Sequence, residues 1–159
     1  VGETFAGRAG NTATHLLETE GVDSVVVTEP TAAFLRREQM GTVTMKLRTR
    51  DVVVGPASAG RVYLAGFRTP VDFGDIFAPP AVQTVTARAR DAGLDVDFAP
   101  MLPVVESSRD LVTAVALVRA KVRAGRNVPP QFAEFVADRG LQVVHRDGAP
   151  TLDTGAGED

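Results

Sequence analysis

The chain has 159 residues, of which 44% are apolar and 23% are charged, a composition typical of one folded domain with a buried core. It contains no cysteine, which excludes a disulfide framework and a thiolate metal site. The net charge of −3 gives no overall basic surface for nucleic acid. No apolar run reaches the length of a membrane span and no signal-peptide pattern is present, so we expect a cytoplasmic protein.

The first part of the chain predicts a helix followed by a buried strand. Asn11 is a suitable N-cap for a helix that runs to about Glu20, and Gly21 would end it. The preceding segment 7–11 contains two glycines and either binds an anion through helix-start amides or is a plain capping loop. Three consecutive valines in segment 24–28 predict a central strand covered on both faces, as in parallel sheets.

An acidic residue, Glu29, directly follows this strand. A carboxylate at a strand end suits a hard divalent cation, which prefers oxygen ligands. Thr31 can cap a short helix that contains Phe34, and an acidic residue near a helix start is also favoured by the helix dipole. Both interpretations of Glu29 stay open at this point.

Segment 39–50 fits two kinds of secondary structure. Val43, Met45 and Leu47 alternate with polar residues, which indicates a strand, whereas Met40, Val43 and Leu47 also have helical spacing. We favour a helix, because two adjacent parallel strands need a crossover of about this size.

The stretch from Asp51 to Phe67 dominates the predicted sheet. Val52 to Val54 read as a buried strand, and Gly55 with Pro56 must interrupt it, since one lacks a side chain and the other a backbone donor. A short loop around Gly60 then leads to a second apolar strand. Loops that follow buried strands are where α/β proteins bind ligands, so this loop is a candidate site.

The remaining chain predicts further elements of one domain. The first is a loop over 68–80 with Asp72 and Asp75, which are either solvated loop acids or include one acid that faces the site. The others, in order, are a helix over 80–92, an edge strand over 95–99, a helix capped by Ser107 and Asp110 that runs to about Ala124, a short helix from Pro129 and Pro130, and a strand over 141–145. Segment 146–159 has no apolar period, which predicts a disordered tail after a single α/β domain at 1–145.

The segment from Gly55 to Gly66 resembles a motif of the DUF2064 family, Gly-Pro-Ala-x-Asp-Gly-Gly-Tyr-Tyr-Leu-x-Gly. The members of this family are proposed glycosyltransferases of the nucleotide-diphospho-sugar transferase superfamily. The matching positions are Gly55, Pro56, Ala57, Gly60, Tyr63, Leu64 and Gly66. Ala59 and Arg61 replace the Asp and the second Gly of the motif.

The resemblance spans roughly 2–124 and leaves the predicted helix and strand within 129–145 outside it. It implies a truncated, three-layer α/β/α fold with a mostly parallel sheet, in a divergent archaeal-type member of the family. We expect an upstream segment to be missing, the one that bears the first strand and the basic nucleotide-binding loop. The implied substrate-binding residues are Gly55, Pro56, Ala57, Gly60 and Tyr63.

The resemblance also implies a metal site for Mg²⁺ or Mn²⁺ that bridges nucleotide phosphates. Glu29 takes the place of the Asp in the family's Thr-Asp-x-Pro turn, and Glu106 replaces the second Asp of Leu-x-Asp-Val-Asp-Thr-x-x-Asp-Leu. Val104 and Ala59 stand where two further acids are found. The resemblance assigns no catalytic residue.

Two functions follow as hypotheses from this arrangement. If Glu29, the loop from Gly55 to Gly60 and Glu106 meet at the carboxyl edge of one sheet, the chain is a glycosyltransferase-like or nucleotidyltransferase-like enzyme that binds a nucleotide-sugar with a metal ion. Alternatively, the lost acids indicate a catalytically inactive binding or assembly module on the same fold. The oligomeric state is not predicted.

Overall fold

A computed structural model describes residues 4–155 as a mixed α/β structure. The chain divides between Leu102 and Pro103 into two compact units, and the single domain over 1–145 stays a prediction. The elements are α1 (Phe5–Glu18), β1 (Val25–Thr28), α2 (Arg37–Lys46), β2 (Val52–Pro56), a 3-10 turn (Ser58–Gly60), β3 (Val62–Phe67), α3 (Ala81–Asp91), β4 (Val96–Phe98), α4 (Ser108–Arg123), α5 (Pro130–Asp138), β5 (Gln142–Arg146) and β6 (Ala149–Asp153).

The first unit contains a four-stranded sheet with the order β1-β3-β2-β4. β3 is antiparallel to both of its neighbours, β1 and β2, and β4 is parallel to β2. β1, β2 and β4 therefore run in one direction, and only β3 runs against them. The carboxyl ends of β1, β2 and β4 and the amino end of β3 consequently lie at the same edge of the sheet.

The prediction of a mostly parallel sheet is corrected by these pairings, because only the β2–β4 pair is parallel. The physical reason is the short connection between β2 and β3. Strands joined by a tight loop pair antiparallel, whereas parallel neighbours need a long crossover. β3 lies between β1 and β2, so the segment that joins these two strands passes over β3.

The helix predicted over 39–50 is present as α2, and it lies against β3. Gly66 of β3 lets it approach closely: a methyl group at Gly66 would lie 2.7 Å from Leu47 Cδ1 and 3.4 Å from Val43 Cγ1. At the end of α2, Lys46 Nζ donates to Asp97 Oδ2 of β4 at 2.7 Å, and this bond lowers the pKa of Asp97. The apolar contact and the ion pair both hold α2 to the sheet.

A second set of contacts joins α1 and α3 to β2 and β3. Val52 and Val54 of β2 and Ala65 and Phe67 of β3 share one side of the sheet, because alternate residues of a strand point to the same face. They form one buried cluster with residues from both helices, namely Ala6, Ala13, Ala81, Val85 and Ala89. Burial of this apolar surface is the main stabilising contribution in the first unit.

The start of α1 differs from the sequence prediction. Thr4, not Asn11, is its N-cap, and Thr4 Oγ1 accepts a hydrogen bond from Gly7 N at 3.1 Å. Gly7 and Gly10 are consequently inside the helix, and segment 7–11 is not an anion-binding loop. The absence of a side chain at Gly10 lets Phe73 pack directly against α1, since a methyl group at this position would lie 2.4 Å from Phe73 Cβ.

The short helix predicted after Thr31 is also absent. Turns occupy this segment, including a bond from Ala32 N to Glu29 O at 3.2 Å, and regular helix begins only at Arg37. Phe34 is nevertheless buried, with 3% of its surface exposed. The apolar residue that suggested a helix thus packs into the core from a turn.

The second unit contains α4, α5 and the β5–β6 hairpin. Ser107 and Asp110 form the predicted capping box at the start of α4. The hairpin overturns the predicted disordered tail for its described residues, because β6 pairs with β5 from Ala149 to Asp153. Asp147 and Gly148 connect the two strands with positive φ values of 51° and 77°, the backbone geometry of a tight hairpin turn.

Within residues 4–155, the helices lack the combination of length and apolarity needed to span a membrane.

Candidate functional site

The candidate site is the edge of the first unit's sheet where β1, β2 and β4 end and β3 begins. Two hydrogen bonds join the segments that leave these strands. Thr28 Oγ1, next to Glu29, donates to Tyr63 O at 2.8 Å. Leu102 N, beyond β4, donates to Pro56 O at 3.1 Å. Glu29 and the loop after β2 therefore lie at the same edge of the sheet, and their role in binding stays a prediction.

The loop between β2 and β3 is tight and internally bonded. Ala57 N donates to Arg61 O at 2.7 Å, and Arg61 N donates to Ser58 O at 3.3 Å. Ala59 and Gly60 both have left-handed backbone, with φ values of 57° and 72°. A methyl group at Gly60 would lie 3.0 Å from Pro80 Cβ, so glycine serves both the backbone geometry and the close approach of Pro80.

Of the predicted substrate-binding residues, Pro56 and Gly60 are half-buried, whereas Gly55, Ala57 and Tyr63 are buried. Ala59 is exposed, and Ser58, Gly60 and Arg61 are half-buried. These four residues form the outer side of the loop, and of the predicted residues only Gly60 is among them. The side of the loop available to a ligand is thus shifted a few residues toward β3 from the predicted one.

Tyr63 supports the loop from inside the protein. The register between β2 and β3 shifts between Gly55 and Pro56, so that Tyr63 is an extra residue between the pairs Gly55–Leu64 and Pro56–Val62. Its side chain is fully buried, and its hydroxyl donates to Pro100 O at 2.9 Å. Burial raises the pKa of the Tyr63 phenol. Tyr63 thereby links the loop to the segment after β4.

Because Tyr63 is the single tyrosine and the chain has no tryptophan, its ionisation can be observed directly. We expect tyrosinate absorbance at 295 nm to appear in the folded protein above the ordinary pKa of about 10, and at about 10 in denaturant. Because the pKa of Tyr63 is higher in the folded protein than in the unfolded chain, the neutral phenol contributes to the free energy of unfolding below pH 10. This contribution is lost as the pH rises through the pKa of Tyr63 in the folded protein. A folded titration that coincides with the denatured one would contradict the burial of this phenol.

Glu29 is half-buried at the end of β1. Thr31 Oγ1 donates to its Oε2 at 3.4 Å, which directs the carboxylate along the turn that follows the strand. Within residues 4–155, no three His, Cys, Asp or Glu side chains are grouped so that they could hold a metal ion by themselves. A protein-only metal cage therefore does not fit this part of the chain.

Glu106, the second predicted metal ligand, belongs to the second unit. It is exposed, and its backbone N donates to Asp110 Oδ2 at 3.3 Å within the cap of α4. Val104, which stands where the resembling family has an acid, is fully buried and serves the apolar core. The meeting of Glu106 with Glu29 stays a prediction.

Sequence reasoning missed Ser58 and Arg61, which are half-buried and lie on the outer side of the loop. Arg61 Nε donates to Ser58 O at 3.0 Å, and one terminal nitrogen of Arg61 donates to Ser58 Oγ at 2.8 Å. These bonds hold a guanidinium group against the loop. The available signal was the replacement of a motif glycine by arginine, since a cation in a ligand-binding loop indicates an anionic ligand.

Comparison with solved structures gives an informative similarity. No family model matches the chain, and no curated protein shows significant similarity to it. Among solved structures, the chain is similar to the crystal structure of a candidate nucleotide-diphospho-sugar transferase from Desulfovibrio desulfuricans G20, with 25% identity and a TM-score of 0.62. The similarity covers 76% of this chain and 53% of that one, so the chain spans about half the length of this relative. The fold is thus similar to that of a nucleotide-diphospho-sugar transferase, while membership of DUF2064 stays a prediction.

Proposed function

We propose that the chain binds a nucleotide-sugar at the edge formed by Glu29 and the β2–β3 loop, and acts as a glycosyltransferase-like domain with an α/β/α arrangement. The observation on which this rests is the shared location of the two features predicted to contact the ligand, in a fold similar to that of a candidate nucleotide-diphospho-sugar transferase. In open α/β sheets, ligands commonly bind outside the carboxyl ends of the strands.

The chemistry is a displacement at the anomeric carbon of the donor sugar. An acceptor hydroxyl oxygen forms a bond to this carbon while the bond to the β-phosphate oxygen breaks. The nucleoside diphosphate leaves with the electron pair, and the acceptor proton passes to solvent or to the leaving phosphate. The domain's task is to position the donor and to stabilise the negative charge of the leaving diphosphate.

A divalent cation, Mg²⁺ or Mn²⁺, fits this edge as a partner of the ligand's phosphates and not as a resident of a protein cage. Mg²⁺ is usually held through one or two carboxylates together with substrate phosphates, and Glu29 would provide such a carboxylate. Bound there, the ion would neutralise charge on the leaving diphosphate. We also propose Glu106 as a ligand of such an ion, independently of Glu29.

A non-catalytic binding module is the second candidate function. The observations that favour it are the loss of acidic residues at Ala59 and at the buried Val104. Such a module would bind the nucleotide-sugar without breaking its glycosidic phosphate bond.

The test is calorimetric titration of the chain with a panel of UDP-, GDP-, ADP-, CDP- and dTDP-sugars, with Mg²⁺, with Mn²⁺ and with EDTA. We expect one nucleotide class to bind, and Glu29→Gln to weaken the metal-dependent binding by about tenfold or more, as is typical for residues around a bound metal. Glu18→Gln, at the exposed end of α1, is the matched control and should leave binding unchanged.

Absence of binding to every member of the panel would contradict the proposed function. Release of free nucleoside diphosphate in the presence of acceptors distinguishes the two candidates. Turnover supports the transferase, and tight binding without release supports the module. Glu106→Gln, measured in the same way, tests the role of Glu106 independently of Glu29.

A further inference from the structure

A cation is built into the loop that lies beside Glu29. Arg61 is half-buried and directly precedes β3, at the edge where β1 and β2 end. Arginine stays charged at all physiological pH values, and its planar group matches the oxygens of phosphate. The cation is thus located where the proposed function needs positive charge.

The loop also fixes the direction of this cation. Arg61 Nε and one terminal nitrogen donate to the carbonyl and the hydroxyl of Ser58, at 3.0 and 2.8 Å. The backbone reinforces this contact, because Arg61 N donates to Ser58 O at 3.3 Å. A side chain held in this way loses less conformational entropy when it binds a ligand than a free surface arginine would.

The β2–β3 loop from Ala57 to Arg61 contains one cationic side chain, that of Arg61. The position two residues earlier is Ala59, an apolar side chain on the exposed side of the loop. Arg61 is therefore the group in this loop with the right charge to offset a diphosphate.

We propose that Arg61 contacts the diphosphate of the bound nucleotide and provides charge neutralisation, and that Ser58 acts as its positioning residue. This inference rests on the proposed function and names the chemical group that the loop recognises. The ligand it selects is a nucleoside diphosphate or its sugar ester, in preference to the nucleoside without phosphates.

The test measures the affinity of inorganic pyrophosphate, and of the nucleoside diphosphate that binds best, for Arg61→Gln, Arg61→Lys and the unchanged chain. We expect Arg61→Gln to weaken both ligands by about 10- to 100-fold, the usual effect of losing a hydrogen bond to a charged group. Arg61→Lys keeps the charge but not the planar geometry and should give a smaller loss. Added salt should reduce the difference between these proteins.

The matched control is Arg68→Gln, which removes the same charge from an exposed residue just after the other end of β3. It should bind within about twofold of the unchanged chain, since it lies at the opposite edge of the sheet. Ser58→Ala should weaken the diphosphate by less than Arg61→Gln and leave binding of the phosphate-free nucleoside unchanged. A general disturbance of the fold would weaken both.

The outcomes separate the two proposals. If the unchanged chain binds pyrophosphate or a nucleotide and Arg61→Gln binds it equally well while remaining folded, the role of Arg61 is wrong and the proposed function stands. If the unchanged chain binds neither pyrophosphate nor any nucleotide of the panel, the proposed function fails and the role of Arg61 fails with it. Circular dichroism of each variant establishes that it is folded.

Discussion

Replacing Gly55 with alanine is expected to lower the free energy of unfolding by about 1–3 kcal/mol, the usual cost of forcing extra atoms into a filled core. A methyl group there would lie 2.6 Å from Tyr63 Cζ and 2.9 Å from Leu64 Cγ. The Tyr63 ring cannot withdraw easily, because it is fully buried and its hydroxyl is bonded to Pro100 O. Urea denaturation followed by circular dichroism measures the change.

Gly66→Ala is the matched control for this prediction. Its methyl group would lie 2.7 Å from Leu47 Cδ1, the far end of a flexible side chain that can change its rotamer. Alanine is also favoured over glycine inside a strand by about 0.5–1 kcal/mol, which offsets part of the cost. Leu47 is itself buried, so we expect a loss of stability that is smaller than for Gly55→Ala but not zero. Equal destabilisation by the two variants would show that the Tyr63 ring does not constrain Gly55.

The second large effect is expected in the second unit, where Asp110→Ala should lower stability by about 2 kcal/mol. Asp110 is 9% exposed, and its Oδ2 accepts hydrogen bonds from Ser107 Oγ at 2.8 Å, Ser107 N at 3.1 Å and Glu106 N at 3.3 Å. Removal of the carboxylate leaves the two amides and the hydroxyl without this acceptor and takes away negative charge from the start of α4.

Asp110→Asn is the informative comparison, because the amide oxygen can still accept some of these bonds while the charge is lost. We expect it to lose about half as much stability as the alanine variant. Hydrogen exchange of peptides from residues 104–111 should show faster opening in the alanine variant than in the asparagine variant. Unchanged exchange in both variants would contradict the importance of the cap.

The strongest local signals in the sequence were sufficient to predict several elements. The valine run of β2, the amphipathic spacing of α3 and the Ser107–Asp110 cap of α4 each have one physical explanation, and the structure contains all three. The crossover argument for α2 does not hold, since β1 and β2 are not adjacent in the sheet. It forms because its apolar residues Val43 and Leu47 have helical spacing and face the sheet.

The failures have equally specific causes. Glycine is usually a signal for a helix boundary, but Gly10 is inside α1, because Phe73 packs against it, a contact distant in sequence. The short β2–β3 loop should have indicated antiparallel strands. The Asp147-Gly148 pair was the clearest hairpin signal in the tail. The residues of β6 that follow it are weakly apolar, so no strand pattern is visible there.

The candidate site was partly predictable. Glu29 directly follows β1, and the β2–β3 loop directly follows β2. The order of the elements is therefore enough to predict that both lie at the same edge of the sheet. Which side of the loop is exposed depends on the extra residue at Tyr63, which turns the aromatic ring inward and leaves Ser58 and Arg61 outside. A register shift of this kind is decided by packing between strands and is not visible in one sequence.

The burial of a lone tyrosine beneath the loop makes the protein suitable for kinetic work without labels. Phenol emission in this chain is free of overlap with indole emission, since tryptophan is absent. The emitting ring lies against Gly55 and is hydrogen-bonded to the segment after β4. Stopped-flow fluorescence would therefore report on rearrangements of this one edge of the sheet, on the millisecond scale at which ligand-binding loops often move.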